Sequence, residues 1–284
     1  MEIKKIAVVG CGIMGSGITQ VAAQAGIEVV AVEADDQAAA RALDRVQAGL
    51  AGSLERGKLT ADQADQARSR FRLTTDLDEI AEAQLVVEAV YEDVELKKTL
   101  LGRIDRLVGP ETFIGSNTST IPLVILAGAT SRPERVIGLH FFNPVPAMRL
   151  VEVIKTPVSE PEHVQVMTEL AVALGKTPIV VNDVPGFVGN LLIVPYLLDA
   201  IRAFERGVAD MTAIDDVLQL GFNHRMGPFA LSDLIGLDIV HDMAASMYEE
   251  YKDPRYFPPP LLKQYVRLGW LGRKTGRGFY SYDG

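Results

Sequence analysis

The sequence contains a single cysteine, Cys11, so no internal disulfide can form, as is typical of the reducing cytoplasm. It has no basic run, and its formal net charge of −9 argues against nucleic acid as a partner. No charged-then-apolar leader precedes Ile6, so we expect no secretory signal. The most apolar segment, Phe187–Leu198, contains Asn190 and Pro195 and is too short to span a bilayer. These absences predict a cytoplasmic protein without membrane or nucleic-acid contacts.

The overall composition is that of an ordinary globular protein, with 48% hydrophobic and 23% charged residues in a chain of 284. Short β-rich runs alternate with helical patterns such as Gln37–Glu55 and Glu92–Leu107. The predicted strands are Ile6–Val9, Glu28–Glu33, Leu85–Ala89, Thr112–Gly115, Val136–Phe141, Val151–Ile154 and Thr177–Val181. This alternation predicts an α/β fold with a parallel sheet covered on both faces. The close spacing of the runs at 136–141 and 151–154 predicts an antiparallel hairpin there.

The pattern changes after Asp183, where Pro185-Gly186 ends the last strand. We predict a Rossmann-type dinucleotide-binding domain at residues 1–183 and an all-helical domain at 184–284. Its helices are predicted at about 187–205, 212–220, 230–250 and 259–268. The first is apolar nearly all round, so it must be buried in that domain or against a partner chain, and a homodimer is the natural inference. Arg41 to Gln66 is either a projecting helical arm or a solvated helix pair.

Gly10-Cys11-Gly12-Ile13-Met14-Gly15 lies between the first predicted strand and helix, where a G-x-G-x-x-G pattern indicates dinucleotide binding. The glycines permit the tight turn, the approach of the pyrophosphate and close helix packing, and the phosphates meet the helix N-terminus. Glu33 ends the second strand, at the separation expected of the acid that binds the ribose hydroxyls. Because Ala34, Asp35 and Asp36 follow it, a 2′-phosphate would meet three carboxylates, which favours NAD over NADP. Cys11 is interpreted as a small space-filler.

His140 and Glu152 flank the turn of the predicted hairpin, so the return strand brings the carboxylate alongside the imidazole. A neutral imidazole backed by a carboxylate can abstract a hydroxyl proton near pH 7. A base together with a hydride acceptor is the minimum equipment of an alcohol dehydrogenase. We assign no metal ligands.

The chain resembles the L-3-hydroxyacyl-CoA dehydrogenases over essentially its whole length, and its length is closest to the bacterial 3-hydroxybutyryl-CoA dehydrogenases. Besides the fingerprint, the ordered motifs are Glu88-Ala89-Val90-Tyr91-Glu92, Ser116-Asn117-Thr118-Ser119, His140-Phe141-Phe142-Asn143-Pro144, Leu150-Val151-Glu152-Val153-Ile154, Pro185-Gly186-Phe187-Val188, Met226-Gly227-Pro228 and Gly276-Arg277-Gly278-Phe279-Tyr280. The resemblance implies reversible, NAD-dependent oxidation of an (S)-3-hydroxyacyl-CoA to the 3-ketoacyl-CoA. The expectation of a short acyl group rests only on the similarity in protein length to the 3-hydroxybutyryl-CoA dehydrogenases.

The resemblance also implies roles for the catalytic residues. His140 is the base that removes the 3-hydroxyl proton, and Glu152 orients its ring and stabilises the imidazolium. Ser119 hydrogen-bonds the reacting oxygen of the substrate, with N-capping at Ile121-Pro122 as the alternative. Asn190 polarises the same region, with helix capping or interhelical bonding as the alternative.

Further positions match family contacts with the cofactor and the substrate. Glu92 and Lys97 match contacts near the nicotinamide ribose, with a solvated helix start as the alternative. Asn117 and Asn143 match positions that line the cofactor, with turn roles as the alternative, and Lys274 matches a basic residue near the nicotinamide end.

The chain departs from the family pattern mainly where CoA would bind. Family members carry basic residues on the helical arm that grip the CoA phosphates; Gly52 stands at one such position, while Arg56 and Lys58 remain. Leu191 and Arg225 replace a usual arginine and proline. These departures bear on CoA affinity, acyl length and the dimer interface.

Three competing interpretations remain. A β-hydroxyacid dehydrogenase places its catalytic lysine on the helix after the domain boundary, but Phe187–Ala203 contains no lysine. A second interpretation is that the protein uses the same His–Glu chemistry on a CoA-free hydroxyacid or sugar acid. Its only support is the missing basic residue at Gly52, which would weaken CoA binding. A non-catalytic NAD-binding protein predicts an eroded site, yet His140, Glu152, Ser119 and Asn190 are all present.

Overall fold

Within residues 2–282, which the computed structural model describes, eight strands form one sheet in the order β3-β2-β1-β4-β5-β6-β7-β8. The strands are β1 Lys5–Val9, β2 Glu28–Val32, β3 Phe71–Thr74, β4 Leu85–Glu88, β5 Phe113–Ser116, β6 Val136–Phe141, β7 Leu150–Lys155 and β8 Thr177–Asn182. Neighbours pair in parallel except β6 and β7, which are antiparallel. The predicted α/β fold with a Rossmann-type sheet and an antiparallel hairpin is confirmed.

The same residues form eleven α-helices. They are α1 Ile13–Gln24, α2 Asp36–Glu55, α3 Ala61–Ser69, α4 Val94–Leu107, α5 Leu123–Ala127, α6 Pro161–Ala173, α7 Gly189–Glu205, α8 Met211–Asp216, α9 Pro228–Ile235, α10 Leu237–Tyr251 and α11 Pro260–Arg267. Local sequence starts several of them: Asp35 caps α2 through Ala38 N, and Thr60 and Gln63 form a capping box on α3. No helix among the described residues is both long enough and apolar enough to cross a membrane.

The strand β3 was missed from the sequence. It has only four residues, it lies at the edge of the sheet beside β2, and its side chains are half-buried or exposed. An edge strand of this kind needs neither an apolar run nor a clear alternation, so no pattern marks it.

The segment from Arg41 to Gln66 is not a projecting arm, because the helix pair α2 and α3 packs against α1. Val46 and Leu50 are buried in the core beneath the sheet. At Gly49 an added Cβ would lie 2.1 Å from the Gln20 side-chain oxygen, so the glycine permits the close approach of α2 to α1.

The chain divides into two compact units after Val184, each with its own core. In the described part of the second unit all the regular elements are helical, as predicted. The single helix predicted at 230–250 is wrong: Gly236 adopts φ 107° and separates α9 from α10. Helix α7 buries Val194, Leu197 and Leu198 in this core.

Two buried carboxylates hold the second unit together. Asp215 accepts hydrogen bonds from the backbone N–H groups of Phe229 and Ala230, at 2.8 and 3.0 Å. Asp233 accepts from Phe279 and Tyr280 N–H, at 2.9 Å each. The Asp215 bonds join α8 to the start of α9. The Asp233 bonds tie the Gly-Arg-Gly-Phe-Tyr segment to α9, which gives that motif a structural role.

Candidate active site

The glycine-rich loop between β1 and α1 forms an open cradle. Gly10 has φ +85°, and an added Cβ would lie 2.7 Å from a methyl carbon of Val90. A Cβ at Gly15 would lie 1.9 Å from Gly10 O, whereas a Cβ at Gly12 would have nothing within 4 Å. Helix α1 begins at Ile13 with no side-chain cap and no acid in its first turn. The first turn of α1 therefore presents amides that no side chain caps, which fits the pyrophosphate of a dinucleotide.

Glu33 lies directly beside this loop, at the end of β2. Its Oε1 accepts the N–H of Cys11 at 2.7 Å, and its Oε2 accepts the N–H of Ala34 at 3.2 Å. The carboxylate is therefore held where ribose hydroxyls would approach the loop. Burial, and then the charge of Glu33, raises the pKa of the Cys11 thiol to about 12. The thiol stays protonated, in agreement with a space-filling role.

Arg45 belongs to the same corner, although no pattern in the sequence selects it. Its Nη1 donates to the carbonyl of Cys11 at 3.2 Å. This places a guanidinium on the fingerprint loop from the middle of α2, a contact that depends on how α2 packs. The expectation of NAD over NADP rests only on the three carboxylates at Glu33, Asp35 and Asp36, and does not include this guanidinium on the neighbouring loop.

The predicted base, His140, and its predicted partner, Glu152, lie on neighbouring strands. They are directly opposite each other in the antiparallel β6–β7 pair, and His140 Nδ1 lies 2.7 Å from Glu152 Oε2. The two residues are 5% and 2% exposed. With Nδ1–H directed at the carboxylate, the neutral ring carries its lone pair on Nε2. Phe142 packs against the imidazole, with the ring centroids 4.6 Å apart.

The turn between β6 and β7 is stabilised by residues outside the hairpin. Lys176, which is buried, donates from Nζ to Val145 O at 2.5 Å and to Met148 O at 2.9 Å. Asn117 Oδ1 accepts the N–H of Phe141 at 2.9 Å, so this predicted cofactor residue also supports the histidine strand. Burial lowers the pKa of Lys176. Asn143 is exposed on the turn, next to these contacts.

Glu92 organises the loop that carries Ser119. Its Oε1 accepts from the Thr118 hydroxyl at 2.6 Å and from the N–H groups of Ser119 and Thr120 at 2.8 and 3.1 Å. The hydroxyl of Thr118, rather than that of Ser119, accepts Ile121 N–H at 3.1 Å and so performs the predicted capping. Burial acts to raise the pKa of Glu92, but the Lys97 ammonium and these hydrogen bonds outweigh it and lower the pKa.

Lys97 lies behind Glu92 and is only 1% exposed. Its Nζ contacts Glu88 Oε1 at 2.5 Å, Val90 O at 3.2 Å and Glu92 Oε2 at 3.3 Å. Direct contact of Lys97 with a cofactor stays a prediction. Glu88 was not selected from the sequence as a site residue, although its place in the Glu88-Ala89-Val90 motif at the end of β4 was a signal.

The remaining predicted residues lie on helices. Arg56 is exposed at the end of α2, and its guanidinium would be 3.0 Å from a Cβ added at Gly52. In the second unit, Asn190 is buried at the second position of α7, and its backbone N–H donates to Gly186 O at 3.0 Å. Lys274 forms an ion pair with Asp238 at 2.6 Å. Within residues 2–282 no three His, Cys, Asp or Glu side chains are grouped so as to hold a metal ion.

Comparisons with known proteins cover the whole chain. Residues 5–184 match the family model of the 3-hydroxyacyl-CoA dehydrogenase NAD binding domain, and residues 186–282 match that of the C-terminal domain. The chain is 44% identical over 283 residues to the probable 3-hydroxybutyryl-CoA dehydrogenase of Bacillus subtilis, covering 100% of this chain and 99% of the relative. It is 44% identical over 282 residues to the 3-hydroxybutyryl-CoA dehydrogenase of Mycobacterium tuberculosis, covering 99% of each. The crystal structure of (S)-3-hydroxybutyryl-CoA dehydrogenase from Ralstonia eutropha matches with a TM-score of 0.94 at 40% identity, over 100% of both chains.

Proposed function

The chain belongs to the 3-hydroxyacyl-CoA dehydrogenase family, and from that membership we propose that it catalyses the reversible, NAD-dependent oxidation of (S)-3-hydroxyacyl-CoA to 3-ketoacyl-CoA. The substrate that we propose is 3-hydroxybutyryl-CoA, because the relatives named for it match this chain from end to end. The observation that carries the proposal is the buried His140–Glu152 pair, with 2.7 Å between Nδ1 and Oε2.

His140 is the base in the proposed reaction. Its Nε2 takes the proton of the 3-hydroxyl group during oxidation and returns it during reduction. Glu152 holds the ring in the tautomer that keeps the Nε2 lone pair available, and its negative charge stabilises the imidazolium that forms. Since the pair is buried, this charge stabilisation is little weakened by solvent.

NAD, when bound, supplies the acceptor for the hydride that leaves C3. Gly10, Gly12 and Gly15, with the first turn of α1, would hold its pyrophosphate, and Glu33 would hold its adenosine ribose. Toward the nicotinamide end we assign Glu92, Asn117, Asn143 and Lys274, with Lys97 acting behind Glu92. The open cradle and the uncapped helix start fit this assignment.

Ser119 and Asn190 are the residues that we assign to the substrate. Both carry groups that can donate a hydrogen bond to the reacting oxygen, and both are at least half-buried, where such a bond is stronger than in water. Arg56 at the end of α2 is assigned to a phosphate of CoA.

We also infer that the protein is a homodimer that associates through its helical unit. Large apolar side chains are exposed on this unit: Leu192 is 66% exposed, Val217 59%, Leu220 86% and Phe222 69%. Three of the four lie within one short segment, and a contiguous exposed apolar segment is typical of an interface. A second copy of the chain is the occupant that we propose.

The test of the proposed function is NADH consumption with acetoacetyl-CoA, for the wild type beside His140→Ala. The wild type should turn over, and His140→Ala should lower kcat by roughly 10²–10⁴-fold, because only the proton transfer is lost. The dissociation constant for NADH, measured by fluorescence, should change little. His241→Ala, which removes a half-buried histidine paired with exposed Asp242, is the matched control and should keep wild-type activity.

Two results would contradict the proposal. If His140→Ala retains wild-type turnover, the base is assigned wrongly. If the wild type binds NADH but does not consume it with acetoacetyl-CoA, while it does so with free acetoacetate, the substrate is a CoA-free acid.

A further inference from the structure

The most unusual group in the first unit is the ammonium of Lys97, which is buried between two carboxylates. Glu88 is 0% exposed and Lys97 is 1% exposed. Glu88 Oε1 lies 2.5 Å from Lys97 Nζ and also accepts Val90 N–H at 2.7 Å, and Glu88 Oε2 accepts the hydroxyl of Ser116 at 2.7 Å. Every oxygen of this carboxylate is therefore used, and the group is held rigidly at the end of β4.

A buried ion pair of this kind is a poor way to gain stability. The cost of removing both charges from water consumes most of their mutual attraction, and a well-packed apolar pair of similar volume is often as stable or more so. The side chains of Glu88 and Lys97 therefore call for a reason other than stability, and the neighbours of Lys97 provide one.

Lys97 also reaches Glu92, whose Oε2 lies 3.3 Å from Nζ. The side chain of Glu92 is 33% exposed, and its other oxygen, Oε1, holds the loop through Thr118, Ser119 and Thr120. One ammonium thus orients two carboxylates. Glu88 holds the ammonium at the end of β4, and Glu92, held by the ammonium, in turn holds the loop of Ser119.

We propose that Glu88 and Lys97 are positioning residues, which fix the carboxylate of Glu92 and through it the backbone of Ser119. This inference rests on the proposed function, in which Ser119 binds the reacting oxygen of the substrate. It assigns Lys97 a place behind the site and gives Glu92 the task of holding the serine loop, in addition to its place beside the cofactor.

The decisive variant is the double substitution Glu88→Gln with Lys97→Met. It removes the two fully buried charges together and keeps the volume. Glu92, whose side chain is 33% exposed, loses its ion pair with Lys97 but keeps the groups that donate to it from the serine loop. The matched control is Lys98→Met, which removes the next lysine of α4, whose ammonium pairs with exposed Glu95 at 2.8 Å. Three quantities are measured: Tm, kcat and KM with acetoacetyl-CoA, and amide hydrogen exchange at Ser119 and Thr120 by NMR.

We expect the double variant to keep a Tm close to that of the wild type. Its amide exchange at Ser119 and Thr120 should become faster, while exchange at Phe141, whose N–H is held by Asn117, should not change. Its kcat should fall by roughly 10- to 100-fold, the size of effect expected when a substrate-positioning group is misplaced. Lys98→Met should match the wild type in all three measurements.

The inference is overturned if the double variant keeps wild-type exchange at Ser119 and Thr120, or if its kcat stays within about twofold of the wild type while exchange accelerates. Should the double variant not fold, Glu88→Gln alone is measured, with the same direction expected and the same overturning results. If the wild type does not reduce acetoacetyl-CoA, the proposed function fails. The exchange comparison at Ser119 and Thr120 then still decides whether Glu88 and Lys97 hold the loop.

Discussion

Single carboxylates carry much of the chemistry assigned to this protein, and each is held by different neighbours. Glu33 is fixed by the N–H groups of Cys11 and Ala34, Glu152 by the Nδ1 of His140, and Glu92 by Lys97 and the serine loop. A carboxylate that is held in place before a ligand arrives loses less freedom on binding it. Substitutions at these positions should therefore act on binding or rate, and at Glu92, which holds a loop, also on stability.

Glu33 should set the preference between NAD and NADP. We expect Glu33→Ala to raise the KM for NAD by roughly tenfold or more, the worth of a hydrogen bond to a charged group. The KM for NADP should change less, because the variant removes a negative charge that opposes the 2′-phosphate. The control is Glu28→Ala, at the exposed opposite end of β2. An unchanged ratio of kcat/KM between NAD and NADP would overturn this selectivity argument.

Glu92 should make stability depend on pH. Because its pKa in the folded protein is held below the ordinary value of 4.5, the folded state binds fewer protons than the unfolded state in acid. The stabilisation by Glu92 is therefore complete above that ordinary value and is lost as the pH falls through the lower, folded-state pKa. Glu92→Gln should lower Tm by a few degrees at pH 7 and by much less near pH 3. Glu95→Gln, at an exposed position of α4, should show no such pH-dependent difference.

At the scale of whole elements, the site depends on the β6–β7 hairpin and on the packing of α2. The hairpin was predictable because two apolar runs with a short, proline-containing connection between them leave little room for a crossover, and its register places His140 opposite Glu152. The placement of α2 was not predictable in the same way. Its contact with the fingerprint loop through Arg45 depends on how α2 packs against α1, a packing in which Gly49 faces the side chain of Gln20.

Helix α2 also allows a test of CoA recognition. The guanidinium of Arg56 folds back toward Gly52, where a side chain would otherwise stand. Gly52→Lys should therefore be tolerated, since only the flexible end of Arg56 must move. The added charge should lower the KM for acetoacetyl-CoA by about two- to fivefold, the effect of an exposed ion pair of up to about 1 kcal/mol. The control is Gly52→Ala, which adds helix propensity without charge; equal KM values for the two variants would argue against a phosphate contact at this position.

At the scale of the whole molecule, two cores and one exposed apolar segment determine how the chain assembles. The second unit buries its own residues, among them Phe229 and Met247, yet leaves Leu220 and Phe222 in solvent. The sequence predicted the change of architecture near residue 184, and the structure divides the chain after Val184. Exposed apolar side chains were not visible in the sequence, because the same leucines would serve equally well in a core.

These exposed side chains should mediate the homodimer. By light scattering, the wild type should have twice the mass of the 30.8 kDa chain, and Leu220→Asp should shift it toward the monomer. Val172→Asp, at a comparably exposed apolar position of the first unit, should leave the mass unchanged. A dimer of wild-type affinity in Leu220→Asp would show that the subunits associate elsewhere.

The sequence by itself determined the features that depend on local patterns: the fingerprint loop, the α/β alternation, the change to helices after Asp183 and the hairpin that pairs His140 with Glu152. Each follows from residue spacing, turn chemistry or strand length within a few dozen residues. Only the tertiary structure decided the burial of Lys97, the hydrogen bonds from Lys176 to the β6–β7 turn, and the contact of Arg45 with the fingerprint loop. A charged side chain reads as solvated in any sequence, and it becomes a buried support only when packing brings carboxylates or carbonyls from other elements around it.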